Sequence, residues 1–222
     1  MLTQAIEDYL KIIYKLQREG ASVTTNAIAE RLRVAPASVS NMIKKLARLR
    51  LVEHTPYHGV ALTAGGERVA LEVIRHHRLL ELYLCQHLGL SLDKVDAEAE
   101  RLEHVLSEEL EEKIAEQLGE PTRDPHGDPI PTREGAMEDE HHPLLAELHP
   151  GQEGVIVRVS DRRADVIRDL AAQELLPGAW VHVTDVEGDG TVRIRRQEKA
   201  QKVQKVDAQL ARAVYIAPDQ RP

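Results

Sequence analysis

The chain has a single cysteine, Cys85, in 222 residues. One thiol excludes an intramolecular disulfide and any thiolate-rich zinc site, and it fits a reducing compartment, here expected to be the cytoplasm. Phenylalanine is absent and aromatics make up 3% of the sequence, so the 42% hydrophobic content predicts an aliphatic core. No apolar run reaches membrane-spanning length. The first 14 residues carry Glu7 and Asp8 within an amphipathic pattern, unlike the apolar centre of a signal peptide, so no membrane partner is expected. There is no G-x-G-x-x-G string and no nucleophile-base pair, which leaves dinucleotide and acyl-transfer chemistry without a signal.

The net charge of −8 is unevenly spread. Residues 1–63 hold nine Lys and Arg against five Asp and Glu; residues 64–149 hold eight against 21; residues 150–222 hold twelve against eleven. A basic head suits phosphate contacts. An acidic middle suits cations, or is a solvated helix surface.

Apolar residues recur at helical spacing over 3–18 (Ile6, Tyr9, Leu10, Ile13, Leu16), 24–33 (Ile28, Ala29, Leu32) and from Pro36 onward (Val39, Met42, Ile43, Leu46, Leu49). Thr24 or Thr25 serves as an N-cap and Pro36 suits a first helical turn. Short strands, 51–54 and 60–63, flank the turn Pro56–Gly59. Helix, helix, turn, helix, hairpin is the order of a winged helix-turn-helix. Thr63 then caps a long helix, 64–88, whose Leu79, Leu80, Leu82, Tyr83, Leu84 and Leu88 predict a dimer interface. One or two helices follow over 93–118, then a Pro- and Gly-rich stretch, 121–135. Alternating strands at 155–159, 180–184 and 191–195, a helix at 164–175 and a Gly188–Gly190 turn predict a small SH3-like barrel.

In a helix-turn-helix the second helix enters the major groove by its N-terminal residues. Here these are Ala35, Pro36, Ala37, Ser38, Ser40 and Asn41: small or polar, able to approach bases, donate to phosphates or touch a thymine methyl group. Lys44, Lys45 and Arg48 continue toward the backbone, and Tyr57-His58-Gly59 forms a short wing. Double-stranded DNA is the expected partner.

Glu100, Glu103 and His104 stand at i, i+3 and i+4, which places them on one side of a helix. His77 and Glu81 form an i, i+4 pair upstream, Asp96 lies one turn before Glu100, and Asp8 lies on the first helix. Packing these helices together would assemble oxygen and imidazole donors suited to Mn²⁺ or Fe²⁺. His58, His76, His126, His141 and His142 are expected to be exposed, and Cys85 to be a small buried hydrophobe.

The strings EDYLKIIYKL, APASVSNMIKKL, LTAGGERVA, RHHRLLELYL and EAERLEHVLSEELEEKI resemble the diphtheria-toxin-repressor family of iron- and manganese-dependent regulators over residues 3–135, and the tail is similar to that family's SH3-like (FeoA-type) domain. The resemblance implies a mainly α chain in three parts: a winged helix-turn-helix (1–71), a helical metal-binding and dimerisation domain (72–140) and an SH3-like domain (141–222). It implies a primary metal site at Asp8, Glu100, Glu103 and His104. Iron-type members carry Met and Cys where Asp8 and Glu100 stand, so Mn²⁺ is favoured, with Fe²⁺ as alternative. It implies an ancillary site at His77, Glu81 and Asp96, joined by Asp161 and Asp165, while Lys11 replaces the Glu that gives two-domain manganese regulators a binuclear site. A homodimer on a palindromic operator, repressing metal-transport genes with the metal as corepressor, follows from the resemblance. A carboxylate-histidine metalloenzyme, or a metal-independent adaptor using the tail, would share the same residues. Turnover on adding Mn²⁺, or pull-down with and without the tail, separates them.

Overall fold

The computed structural model describes residues 2–20, 22–55, 59–138, 140–160, 163–196 and 202–218. Tyr57 and His58 of the expected wing, and Asp161, lie outside the described residues. The chain forms two compact units. One comprises Met1–His77, Arg101–Glu111 and Pro131–Met137; the other comprises Arg78–Glu100, Glu112–Ile130 and Glu138–Pro222.

The first unit opens with α1 (Gln4–Arg18), which buries Ile6, Tyr9, Leu10, Ile13, Tyr14 and Leu16 along one face. α2 (Thr25–Leu32) is capped by Thr24, whose hydroxyl accepts the Ala27 N–H at 3.1 Å. It ends at Arg33 in the left-handed conformation. α3 (Pro36–Arg48) starts on Pro36, where the missing N–H costs nothing. Leu10, Ile13, Ile28, Val39 and Leu46 are sealed from solvent in the shared core.

β1 (Val52–Thr55) and β2 (Gly59–Leu62) pair antiparallel, with Val52 opposite Leu62. Two N–H groups tie the hairpin to α1 and to the segment before α2: Leu62 donates to the Gln17 side chain (3.1 Å) and Val60 to the Val23 carbonyl (3.0 Å). α4 (Ala64–Gln86) begins under the Thr63 hydroxyl, which accepts the Gly66 N–H at 3.1 Å.

Two expectations need correction here. The helix bearing Glu100 does not continue through His104. α5 (Leu92–Leu102) stops, and Glu103, His104 and Val105 form a turn closed by Val105 N–H on the Leu102 carbonyl. α6 (Glu108–Leu118) then restarts on Ser107, whose hydroxyl accepts the Leu110 N–H. The α4 leucines are only in part an open face: Leu79, Leu80, Leu82 and Leu84 are buried, whereas Tyr83 is half-buried and Leu88, past the end of α4, is exposed. The exposed apolar residues of the first unit include Leu102, Val105 and Leu110, which lie around the turn and the start of α6.

The second unit contains a five-stranded antiparallel sheet: β3 (Glu153–Val159), β4 (Trp180–Val186), β5 (Val192–Arg196), β6 (Val203–Val206) and β7 (Val214–Pro218), in the order β6-β5-β4-β3-β7. α7 (Ala164–Ala172), shorter than expected, and the short α8 (Ala208–Ala211) close the core around Ile156, Leu170, Val181 and Ile194. The Pro- and Gly-rich segment is not a loose linker at 122–130. It folds onto β3, where Val159 N–H donates to the His126 carbonyl at 2.9 Å. Gly127, at φ +91°, allows this approach: a Cβ there would meet the Val157 carbonyl oxygen at 2.0 Å.

Gly66 is the clearest test of close packing in the first unit. It lies inside α4, where alanine should gain about 1 kcal/mol of helix propensity. A Cβ at this position would sit 1.9 Å from the Leu51 carbonyl oxygen. Gly66→Ala should therefore destabilise the protein by about 1–3 kcal/mol, measured by denaturant unfolding; a stabilised variant would contradict this packing.

Candidate metal centres and nucleic-acid interface

α2 and α3 pack as a helix-turn-helix, and the start of α3 is open to solvent. Ala35, Pro36, Ala37, Ser38, Asn41, Lys44 and Lys45 are exposed, while Val39 faces the core. Ser40 is half-buried, and its hydroxyl donates to the Pro36 carbonyl at 3.1 Å, leaving only its acceptor side for a partner.

A first cluster of metal-binding groups lies in the first unit. The ligand atoms of Asp8, Glu103 and His104 all lie within 4.8 Å of one another. Asp8 comes from α1; Glu103 and His104 come from the turn after α5. His104 is held by Glu7, a residue the sequence reading left out, whose carboxylate lies 2.7 Å from Nδ1. Nε2 consequently faces inward, 2.8 Å from Asp8 Oδ1 and 3.2 Å from Glu103 Oε1. Neither approach has hydrogen-bond geometry, and Nε2 is buried without a hydrogen-bond partner among the described residues. An imidazole nitrogen turned to two carboxylates, with its other nitrogen fixed by an acceptor, is how a ligating histidine is built.

Glu103 is 1% exposed. Lys11 Nζ lies 2.5 Å from its Oε1 and His77 Nδ1 2.5 Å from its Oε2. Burial alone would raise this carboxyl's pKa; the hydrogen bond from His77 and the charge of Lys11 outweigh it and hold the group below the ordinary range.

A second buried network backs the same turn. His76 Nδ1 lies 3.1 Å from the Glu103 carbonyl oxygen and Nε2 lies 3.1 Å from Glu111 Oε2. Arg75 Nε donates to Glu111 Oε1 at 2.6 Å, and its Nη1 donates to the Pro131 carbonyl at 2.9 Å. The His76 hydrogen bond, with help from Arg75, brings the Glu111 carboxyl down to about 2. Burial pulls His76 down, but its bonds to Glu111 and to the Glu103 carbonyl raise it overall.

The second unit holds another cluster: Glu81, Asp124 and His126, all buried, with ligand atoms within 4.8 Å. His126 is 0% exposed, against the expectation of an exposed loop histidine, and His76 is likewise buried. The segment folded onto β3 carries His126 inward. Its Nε2 bonds the Leu92 carbonyl at 3.2 Å, and Nδ1, 3.5 Å from Glu81 Oε1, is buried without a hydrogen-bond partner among the described residues. Asp124 Oδ1 accepts the N–H groups of His126 and Asp128, both at 2.9 Å. Burial, then the charges of Asp128 and Glu81, pushes the Asp124 carboxyl well above its ordinary range. Arg78, with Nε 3.7 Å from Asp124 Oδ2, offsets this only in part, and crowded buried carboxylates call for protons or a further cation.

Glu100 is exposed on α5 and Asp96 half-buried on the same helix, both in the second unit with Glu81. His77 belongs to the first unit, in contact with Glu103. Asp165 is exposed and paired with Arg163 through a 3.0 Å hydrogen bond. The sequence carries no signal for Asp124 and His126 as ligands, because D-P-H-G within a proline-rich stretch reads as a surface loop.

A depressed carboxyl contributes stability above its unfolded value and loses it as pH falls through its folded value. For Glu111 that window runs from about 4.5 down to about 2. Glu111→Gln should remove roughly 3 kcal/mol at neutral pH and flatten acid unfolding across this window, as followed by circular dichroism. An unchanged acid profile would sever Glu111 from the stability of the unit.

Comparison with known proteins places these features. The N-terminal DNA-binding domain of iron-dependent repressors matches residues 1–60, their metal-binding and dimerisation domain matches 63–132, and a FeoA domain matches 144–218. The iron-dependent repressor IdeR of Mycobacterium tuberculosis is 34% identical over 201 residues, spanning 85% of this chain and 87% of that protein. An uncharacterized HTH-type transcriptional regulator of Methanocaldococcus jannaschii is 38% identical over 109 residues, 49% of this chain and 87% of that one. A manganese-dependent transcriptional repressor solved in complex with manganese has a TM-score of 0.88 at 33% identity, over 96% of this chain and 99% of that chain. The chain belongs to the iron-dependent repressor family of metal-dependent, DNA-binding transcriptional regulators.

Proposed function

We propose that this chain is a transcriptional repressor that grips its operator when a divalent cation, Mn²⁺ or alternatively Fe²⁺, is held by Asp8, Glu103 and His104. The supporting observation is His104 Nε2, turned between two carboxylates with no hydrogen-bond partner among the described residues. The donors are carboxylate oxygen and imidazole nitrogen, a hard set that favours Mn²⁺. Glu100 is proposed as a further ligand on its spacing and on the family resemblance. Glu81, Asp124 and His126 are proposed as a second metal site, and Glu81 also stays in the expected ancillary set. His77 and Asp96 stay as proposed ancillary residues by resemblance, and Asp165 as a weaker one.

A cation supplies the positive charge that lets these carboxylates stay together. What this chain contributes is location: Asp8 rides on α1, the helix that carries the core of the reading head, while Glu103 and His104 sit on the turn between α5 and α6. Holding the two together fixes the head. In a homodimer this sets the separation of two α3 helices, which must match half-sites about 34 Å apart. We propose that Leu102, Val105 and Leu110 meet their counterparts in that dimer. The operator is palindromic, the action cytoplasmic, and the proposed divisions are 1–71, 72–140 and 141–222. Ala35 to Ser38, Asn41, Lys44 and Lys45 carry the DNA contacts, with Ser40 accepting. The ligand shifts a population only as far as it prefers the DNA-competent state.

Gel shifts on genomic fragments with Mn²⁺, Fe²⁺ and chelator test this directly. Asp8→Ala and Glu103→Ala should lose more than the roughly 10- to 100-fold typical of removing a group that merely orients a ligand, while sedimentation still shows a dimer. Variants that bind DNA normally in chelator would overturn the reading. Asp124→Asn should remove one class of bound Mn²⁺ in calorimetry and leave the Asp8-dependent class intact.

A further inference from the structure

We infer that His76, Arg75 and Glu111 form a brace that positions the Glu103–His104 turn, so that affinity at the Asp8 site depends on three residues that touch no metal. This deepens the proposed function and rests on it.

The brace acts on one atom. The carbonyl oxygen of Glu103 belongs to the peptide that joins Glu103 to His104, so fixing it fixes the backbone from which both side chains leave. His76 Nδ1 holds that oxygen at 3.1 Å. A carbonyl only accepts, so Nδ1 is a donor. Nε2 is committed to Glu111 Oε2 at 3.1 Å. Glu111 has its other oxygen on Arg75, and Arg75 reaches on to the Pro131 carbonyl. Each link therefore orients the one before it. All three residues are buried, at 9% exposure or less.

Stability alone does not account for such a triad. Buried ion clusters barely repay their desolvation, and apolar residues of similar volume often serve as well or better. What the cluster supplies that apolar residues cannot is direction. The turn needs it, because α5 has ended at Leu102 and no helical ladder fixes Glu103 or His104. A turn left to itself would sample several arrangements, and each ligand geometry lost weakens a metal site.

The test uses the full-length chain and counts Mn²⁺ by electron paramagnetic resonance, which sees the unbound ion. Glu111→Gln, nearly isosteric, and His76→Ala are compared with the parent and with Asp8→Asn. Both brace variants should bind about 10- to 100-fold more weakly in the Asp8-dependent class, with the Asp124-dependent class unchanged. Without metal, the amides of Glu103, His104 and Val105 should exchange hydrogen faster than in the parent. Asp8-dependent affinity equal to the parent's in Glu111→Gln would overturn the brace. Equal weakening of both classes would overturn it too, since that marks general loosening. If parent and Asp8→Asn titrate alike, the underlying site itself is wrong, which is a separate and recognisable failure. Should His76→Ala fail to fold, Glu111→Gln carries the test alone.

Discussion

Glu103 is a carboxylate with almost no access to water, and its charge must be balanced from inside the protein. A buried carboxylate left unpaired would protonate or unfold its surroundings. Lys11 of α1 and His77 of α4 each take one of its oxygens. Since Oε1 also lies 3.2 Å from His104, the same group that ties α1 to the turn is poised to serve a cation. In the proposed site the structural link and a ligand are one side chain. This is why the primary cluster includes a residue of the DNA-reading head: α1 cannot pack against the turn without bringing Asp8 beside His104.

The two clusters obey a common rule. In each, one imidazole nitrogen is spent on an outer acceptor, Glu7 for His104 and the Leu92 carbonyl for His126, and the other faces carboxylate oxygen: Asp8 and Glu103 for His104, Glu81 for His126. Outer partners of this kind set tautomer and ring orientation before any ion arrives. The clusters differ in where their backbone comes from. One takes its histidine from a turn between helices, the other from a segment that reaches its position by folding onto β3.

Periodicity made the helices of the head legible, because burial there follows local spacing: Ile6, Leu10 and Ile13 on α1, or Val39, Ile43 and Leu46 on α3, share a face by arithmetic alone. Glu103 and His104 were also legible as residues, though not as a turn, since E-R-L-E-H reads as continuous helix and only Ser107 hints at a restart. Asp124 and His126 were not legible. Their partner Glu81 lies more than 40 positions away, and their composition is that of a surface loop. What buries them is the register of β3 and the absence of a side chain at Gly127, a long-range fact. β6 and β7 escaped for a related reason: four- and five-residue strands at sheet edges have little pattern of their own.

The acidic middle of the chain pointed to cations, but charge was the weaker half of that signal. Of the 21 carboxylates between residues 64 and 149, most lie where water screens them and nothing specific follows. Among the described residues, Glu81, Glu103, Glu111 and Asp124 are the buried ones, and all belong to this segment. Three of them sit in ligand clusters with a histidine, and the fourth is locked to His76 behind one of those clusters. A sequence shows how many acids a helix carries; packing decides which few are withdrawn from solvent. Those few have a charge that only a cation, a proton or a fixed partner can offset, and the nature of that partner separates ligand from brace.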